Sequence, residues 1–354
     1  MKFIVLENDG IGPEITAATL PVLQKLDERY GLKIELVPMV SGMRALKAEG
    51  QTIPQAVYDA CDAADGVILG PVSSFEYPSE AEGGVNPSKS FRKVFDLFAN
   101  IRPARTRPGV PSVIKKMDLV IVRENTEGLY ADRNMFMGSG EFMPTEDVAL
   151  SVRKITRQGC ERIARQAFEM ALERRKKVTA VHKANVLRMT DGLFLKTVME
   201  VAKDFPSVEV EELIIDAATA HLVKRPEDFD VIVTTNAFGD ILSDLCSELS
   251  GSLGLAGSIN AGKGHVFAQA QHGSAPDIAG KGIANPTALM LSTAMMLEEL
   301  GRRTSRNDLA QASASMFKAI ELALGDPASH TPDLGGKNST EGFGKAVLAA
   351  LDKE

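Results

Sequence analysis

The sequence predicts an α/β fold built on a largely parallel sheet. Three observations carry it: short apolar runs ending in turn-prone residues, segments of helical period that follow them, and regular alternation of the two along 354 residues. Residues 2–6 read as a buried strand ending at Asn8-Asp9-Gly10-Ile11-Gly12-Pro13, before a helical pattern from about Glu14 to Tyr30. Further strands are expected at 33–39, 66–70, 118–123, 178–182, 208–215 and 230–235. Helices are expected at 54–64, 148–173, 190–204, 239–250, 286–301 and 306–324. A last helix, at about 340–352, follows the turn Pro332-Asp333-Leu334-Gly335-Gly336. Alternation of this kind gives parallel strands covered by helices on both faces. The Pro- and Arg-rich stretch 102–108 marks the start of a second, smaller region, and the Gly/Met segment 134–143 suits an arm that reaches a partner subunit.

Composition sets the outer limits. With 44% hydrophobic, 25% charged and 5% aromatic residues the chain is ordinary globular protein, long enough for two subdomains. A net charge of -7 leaves no excess of basic groups for a nucleic-acid backbone. No run of about 18 apolar residues occurs to span a membrane. Cys61, Cys160 and Cys246 are isolated and odd in number, which suggests neither a disulfide framework nor a zinc site and fits a reducing cytoplasm.

The strongest chemical signal is the apolar strand Val231-Ile232-Val233-Thr234 followed by Asn236-Ala237-Phe238-Gly239-Asp240-Ile241-Leu242-Ser243-Asp244. Asp240 and Asp244 are four apart, so on a helix beginning near Gly239 they share a face just beyond the strand's carboxyl end. Two carboxylates there repel unless a cation sits between them, and oxygen donors suit Mg²⁺ or Mn²⁺. A helix cap and a solvated aspartate are the alternative. Asp216 ends another apolar strand and is a third candidate ligand, or a turn residue. Lys183, in Val181-His182-Lys183-Ala184-Asn185, closes a buried strand where a lysine can serve as a base, or can be only a solvated charge. Arg92, Arg102, Arg105 and Arg107, with Arg123 on the next strand, form a guanidinium cluster suited to a polycarboxylate, or to surface salt bridges. Tyr130 follows Arg123-Glu124-Asn125-Thr126-Glu127-Gly128-Leu129 and is a candidate proton donor, or the segment is a capped turn.

Neither standard nucleotide motif is present. Gly10-Ile11-Gly12 lacks the third glycine of the dinucleotide fingerprint, and Gly257, Gly262 and Lys263 are followed by Gly264 where a phosphate loop needs Ser or Thr.

Taken together, these motifs resemble the β-decarboxylating dehydrogenases, the family of isocitrate, homoisocitrate, 3-isopropylmalate and tartrate/D-malate dehydrogenases. The likeness runs from Asp9-Gly10-Ile11-Gly12-Pro13-Glu14 to Thr331-Pro332-Asp333-Leu334-Gly335-Gly336. It implies a twisted sheet with a large cofactor-side domain (1–100 plus 250–354) and a small domain (101–249) carrying the dimer interface and arm. It further implies a homodimer with shared active sites. By resemblance Arg92, Arg102 and Arg123 clamp substrate carboxylates, with Ser88, Lys89 and Asn185 also at the substrate. Tyr130 protonates the enol, Lys183 of the neighbouring subunit assists removal of the 2-hydroxyl proton, and Asp216, Asp240 and Asp244 hold Mg²⁺ or Mn²⁺, one of them from the neighbour.

The loop with His272, Gly273, Ser274, Ala275, Asp277, Ile278 and Asn285 resembles the family's adenosine site. Asp277-Ile278 stands where NADP-dependent members usually carry Lys-Tyr, and a carboxylate there repels a 2′-phosphate, which favours NAD. Glu124-Asn125-Thr126-Glu127-Gly128 and His182-Lys183 are closer to the isocitrate, homoisocitrate and D-malate branches than to isopropylmalate. Lys89 favours a third carboxylate on the substrate. Gln269, in Ala268-Gln269-Ala270-Gln271, replaces a carboxylate that the family places near the nicotinamide.

Overall fold

The computed structural model describes residues 1–129, 135, 138 and 140–353. Its first unit is strand β1 (Lys2–Leu6), a glycine turn and helix α1 (Gly12–Tyr30). Along β1, Phe3 and Val5 face one side while Ile4 and Leu6 face the other, and all four are buried, as expected of a strand covered on both faces. The remaining strands are β2 (Glu35–Met39), β3 (Gly66–Leu69), β4 (Ala99–Arg105), β5 (Asp118–Glu124), β6 (Glu141–Thr145), β7 (Val148–Ser151), β8 (Lys177–His182), β9 (Glu209–Ile214), β10 (Val231–Thr234), β11 (Ile259–Ala261) and β12 (Val266–Gln269). After α1 come helices α2 (Met43–Glu49), α3 (Gln55–Asp62), α4 (Pro87–Val94), α5 (Arg157–Leu172), α6 (Thr190–Ala202), α7 (Ile215–Lys224), α8 (Asn236–Ser250), α9 (Thr287–Thr304), α10 (Asn307–Leu324) and α11 (Thr340–Leu351).

Ten strands form one sheet in the order β2-β1-β3-β12-β11-β4-β5-β10-β8-β9. Its two flanks are parallel, but the centre is not: β12 with β11, β11 with β4, and β4 with β5 all pair antiparallel. β4 occupies the start of the Pro- and Arg-rich stretch, which lacks the look of a central strand because Pro103 cannot donate to a ladder. The register resolves the conflict. β11 pairs only with Ala99, Asn100 and Ile101 of β4, so Pro103 lies beyond its end and keeps a neighbour, Val120 of β5, on one side alone. The 257–264 stretch, which falls short of a phosphate loop, contributes β11 and the turn into β12.

The helix expected at 148–173 is corrected at its start. Val148–Ser151 is a strand paired with β6, and α5 begins only after Thr156, whose hydroxyl caps it by accepting from the Gly159 N–H at 3.0 Å. The β6–β7 hairpin takes in the end of the segment expected to form an arm, of which residues 134, 136, 137 and 139 lie outside the described residues. It is exposed throughout and carries Phe142, Met143, Val148 and Leu150 on its surface.

The core falls into three groups. The largest packs α1, α5, α9, α10 and α11 against the sheet. A second sets α7 and α8 against Leu119, Ile121, Val181 and Ile232, and a third sets α3 and α4 against Ile4, Leu6 and Phe267. All three cysteines are buried and free. Among the described residues no helix is long and apolar enough to cross a membrane.

Candidate active site

The central antiparallel strands place the arginines. In the β4–β5 register Asn100 lies opposite Arg123, and Arg102 is two residues on from Asn100, so all three side chains share one face of the sheet. Helix α8 packs on that face. Its residue Gly239 sits where an added Cβ would lie 2.6 Å from Arg123 Cγ, so the glycine lets the arginine pass across the helix.

Arg123 donates through Nε and Nη2 to Asn236 Oδ1 at 3.1 and 2.7 Å, and its Nη1 pairs with Asp240. Arg102 donates from Nε to Asn100 Oδ1 at 2.5 Å and from Nη1 to Ser243 Oγ at 2.6 Å, with Asp240 at 3.2 Å and Asp244 at 3.7 Å. Burial raises the Asp240 carboxyl, but Arg123, Arg102 and Arg92 outweigh it and hold it below the usual aspartate range. Asp244 is pushed the other way by burial, which the pull of Arg102 does not fully offset. Burial and the neighbouring Arg123 charge bring Arg102 down to about 9. The expected helix thus begins earlier than Gly239, at Asn236, and Asp240 lies inside it rather than capping it.

A cleft of about 210 Å³ opens in front of these groups. Arg92, in the last turn of α4, lines it together with Ser88 and Lys89 of the same helix, whose N-cap Asn86 accepts from the Lys89 N–H at 3.0 Å. Gln269, His272 and Gly273 complete the far wall. The lining holds Lys89, Arg92, Arg102 and Arg123 against a single carboxylate, Asp240, so the cleft is built for an anion.

The adjoining 272–285 loop is fastened to the N-terminal turn. The Ile11 N–H donates to Ser274 O at 2.9 Å, and a Cβ on Gly10 (φ 56°) would strike that oxygen, so only glycine allows this approach. Ser274 Oγ is 2.8 Å from Ser73 Oγ, while Asn285 accepts from Thr287 N–H and donates to Asp333. Ala275 adopts a left-handed conformation at φ 41°. Asp277 is exposed, Ile278 half-buried, and the His272 ring has its buried Nε2 unpartnered, its basicity lowered by burial. Asp9 braces the floor by accepting from the N–H groups of Met43 and Ser73.

Lys183 and Asp216 form a separate group. Lys183 follows β8, and its Nζ lies 2.5 Å from Asp216 Oδ1; Asp216 sits in the first turn of α7 rather than at the end of a strand, and its carboxyl is held low by that contact. Asn185 is exposed in the same loop, beside the exposed apolar residues Val186 and Met189. None of these lines the arginine cleft. Among the described residues no three of His, Cys, Asp and Glu converge in a metal-sized group, so one chain offers Asp240 and Asp244 together and Asp216 apart. Tyr130 lies outside the described residues. Sequence reading missed Asn100, Asn236 and Ser243, which orient the two buried arginines, and Asn260, which orients Gln269; the only local hint was Asn236, polar directly after an apolar strand.

A family model described as isocitrate/isopropylmalate dehydrogenase matches residues 2–347. The chain belongs to this family. It is 44% identical over 352 residues, 99% of this chain and 98% of the other, to the isocitrate/homoisocitrate dehydrogenase of Thermus thermophilus. It is 42% identical to the 3-isopropylmalate dehydrogenase of Sulfurisphaera tokodaii, covering 95% of each chain. The crystal structure of isocitrate dehydrogenase from Methylococcus capsulatus superposes with a TM-score of 0.86 at 39% identity, covering 99% of both chains. As a member of the isocitrate/isopropylmalate dehydrogenase family, the protein is an oxidoreductase that acts on a hydroxy acid with oxidative decarboxylation, and dependence on NAD(P) and a divalent metal is general in the family.

Proposed function

We propose that the chain is an NAD-dependent enzyme that oxidises and decarboxylates a 2-hydroxy acid bearing a 3-carboxylate, of the isocitrate or homoisocitrate type, in the cytoplasm. The observation that carries this reading is the cleft in which four cations face Asp240, with Asp244 one helical turn away. Arg92, Arg102 and Arg123 hold the substrate carboxylates through guanidinium forks, and Lys89 and Ser88 face the variable arm. Because Asn100, Asn236 and Ser243 already fix the two buried arginines, little orientation remains to be lost on binding.

The oxygen donors of Asp240 and Asp244 fit Mg²⁺ or Mn²⁺, and Asp216 of a second copy supplies the third carboxylate. A cation held there would supply Lewis acidity toward the 2-hydroxyl, and a bound NAD would supply the hydride acceptor. Lys183, delivered with Asp216 from the second copy, takes the hydroxyl proton, and Tyr130 returns a proton to carbon after CO₂ leaves. Separation of the Lys183–Asp216 pair from the cleft within one chain supports a homodimer with shared sites. So does the exposed apolar β6–β7 hairpin, since a two-stranded hairpin is barely stable alone in water. We assign 1–100 with 250–354 to the cofactor-side domain and 101–249 to the domain carrying interface and arm. His272, Gly273, Ser274, Ala275, Asp277, Ile278 and Asn285 line the nucleotide side, where exposed Asp277 bonds ribose hydroxyls and repels a 2′-phosphate.

The test is NADH formation with Mn²⁺ across isocitrate, homoisocitrate, 3-isopropylmalate, D-malate and tartrate, with an NADP comparison and a chelator control. Turnover of a tricarboxylic acid that EDTA abolishes is expected; silence on all five acids overturns the assignment.

A further inference from the structure

Gln269 is the last residue of β12 and is almost fully buried, yet it reaches the cleft wall. Which way its amide points is settled by a relay of three amides. Asn125 must turn its NH₂ toward Leu97 O, at 2.9 Å, because a backbone carbonyl only accepts; the same NH₂ donates to Asn260 Oδ1 at 2.9 Å. Asn260 therefore turns its own NH₂ toward Gln269 Oε1, at 3.1 Å. The Ser88 hydroxyl adds a second donor to the same oxygen at 3.2 Å. With Oε1 occupied twice, the Gln269 Nε2 faces outward, has no acceptor among the described residues, and is not closed off from the cleft.

The consequence is a matter of sign. A carboxylate at this position could accept from Ser88 and Asn260 equally well and would place an anion at the wall. Glutamine, of the same shape, places N–H donors there. Ser88 and Arg92 are one turn apart on α4, so these donors stand at the substrate-arginine corner, with Lys89 adjoining. The Gln269 N–H donors thus stand beside the Arg92 and Lys89 cations.

We propose that Gln269 is a specificity-determining residue whose amide selects a hydroxy acid with a variable arm ending in a hydrogen-bond acceptor, a carboxylate above all, over one ending in an alkyl group. The proposal rests on the hydroxy-acid reading above and names the arm that reading leaves open. An unpaired donor facing an alkyl arm loses its water without replacement, which disfavours the alkyl acid, whereas a carboxylate arm satisfies the amide and Lys89 together.

The experiment compares the full-length protein with its Gln269→Glu variant. Kinetics are measured with homoisocitrate, isocitrate and 3-isopropylmalate, and thermal shifts are measured with the same acids plus Mn²⁺ in the absence of NAD. Glutamate keeps both accepted hydrogen bonds, so the unliganded melting temperatures should agree. The wild type should favour the better tricarboxylic acid over 3-isopropylmalate by about 100-fold in kcat/KM, and the variant should lose most of that ratio with little change in KM for NAD. An equal loss on all acids, or a change confined to KM for NAD, overturns the proposal and makes Gln269 a structural or cofactor-positioning residue. The thermal shifts separate the two readings without turnover, because wild type and variant are compared on the same acids. A preference for tricarboxylic acids that the wild type shows and the variant loses, in a protein inactive with NAD, upholds the Gln269 inference and sinks the reaction. A wild type that turns over but shifts equally with all three acids does the reverse.

Discussion

Lys183 can be removed at little cost to the folded chain, because it meets Asp216 at a fully solvated carboxylate and such surface pairs contribute little. Lys183→Ala should therefore lower kcat by about 10² to 10⁴ while leaving the melting temperature of the chain nearly unchanged, measured by steady-state kinetics beside a thermal melt. Arg102 differs, since its Nε and Nη1 serve two different neighbours in one plane. Arg102→Lys should raise KM for the hydroxy acid by about tenfold or more without moving KM for NAD, because a point charge cannot replace the fork. Residues such as Asp240 and Asp244 were legible because i, i+4 spacing after an apolar strand is a local pattern. Asn100 and Asn260 were not, because Asn100 meets Arg102 only once 99–105 is a strand, and Asn260 meets Asn125 and Gln269 only across the folded sheet.

At the level of elements, β1, α1, β10 and α11 follow directly from apolar period and turn residues. β4 and β11 do not, since one carries a proline made harmless by a short neighbour and the other has only three residues. The false helical start at 148 arose from apolar residues whose true periodicity is two, on a hairpin that buries neither face within the chain. Helix α8 offers a test of its fit against β5. Gly239→Ala gains about 1 kcal/mol of helix propensity, which offsets much of an overpacking cost of about 1 to 3 kcal/mol. The damage should appear as a raised KM through a displaced Arg123, more than as a lowered melting temperature. The start of β5 is tied to the end of α5 by Asp118, whose carboxyl is raised by burial but pulled further down by Arg174 and Arg175. Its folded pKa lies below the ordinary 3.8, so this stabilisation is present above that value and lost as pH falls through the folded value. Asp118→Asn should melt slightly lower at neutral pH, by at most about 1 kcal/mol for this half-exposed group, with the gap closing in acid.

For the whole molecule, the separation of Lys183 and Asp216 from Asp240 predicts complementation between chains. Lys183→Ala and Asp240→Asn should each be inactive, yet unfolding and refolding them together should restore about one quarter of the native activity. Half of the random pairs are then mixed, and each mixed pair has one intact site of two. Recovery of none would place every group of a site on a single chain. The antiparallel strip at the centre of the sheet has a mechanical meaning as well. Asn100 and Arg102 lie on the face of the arginine-lined cleft, and alternation sends Ile101, Pro103 and Arg105 to a groove of about 500 Å³ on the reverse face, where Ile259, Met295 and Glu321 join them. The strip between these two hollows is joined across β11 and β4 by three residues only. It has the form of a book's spine: a bend along it that narrowed the front cleft would widen the groove behind, so the width of that groove would report the bend.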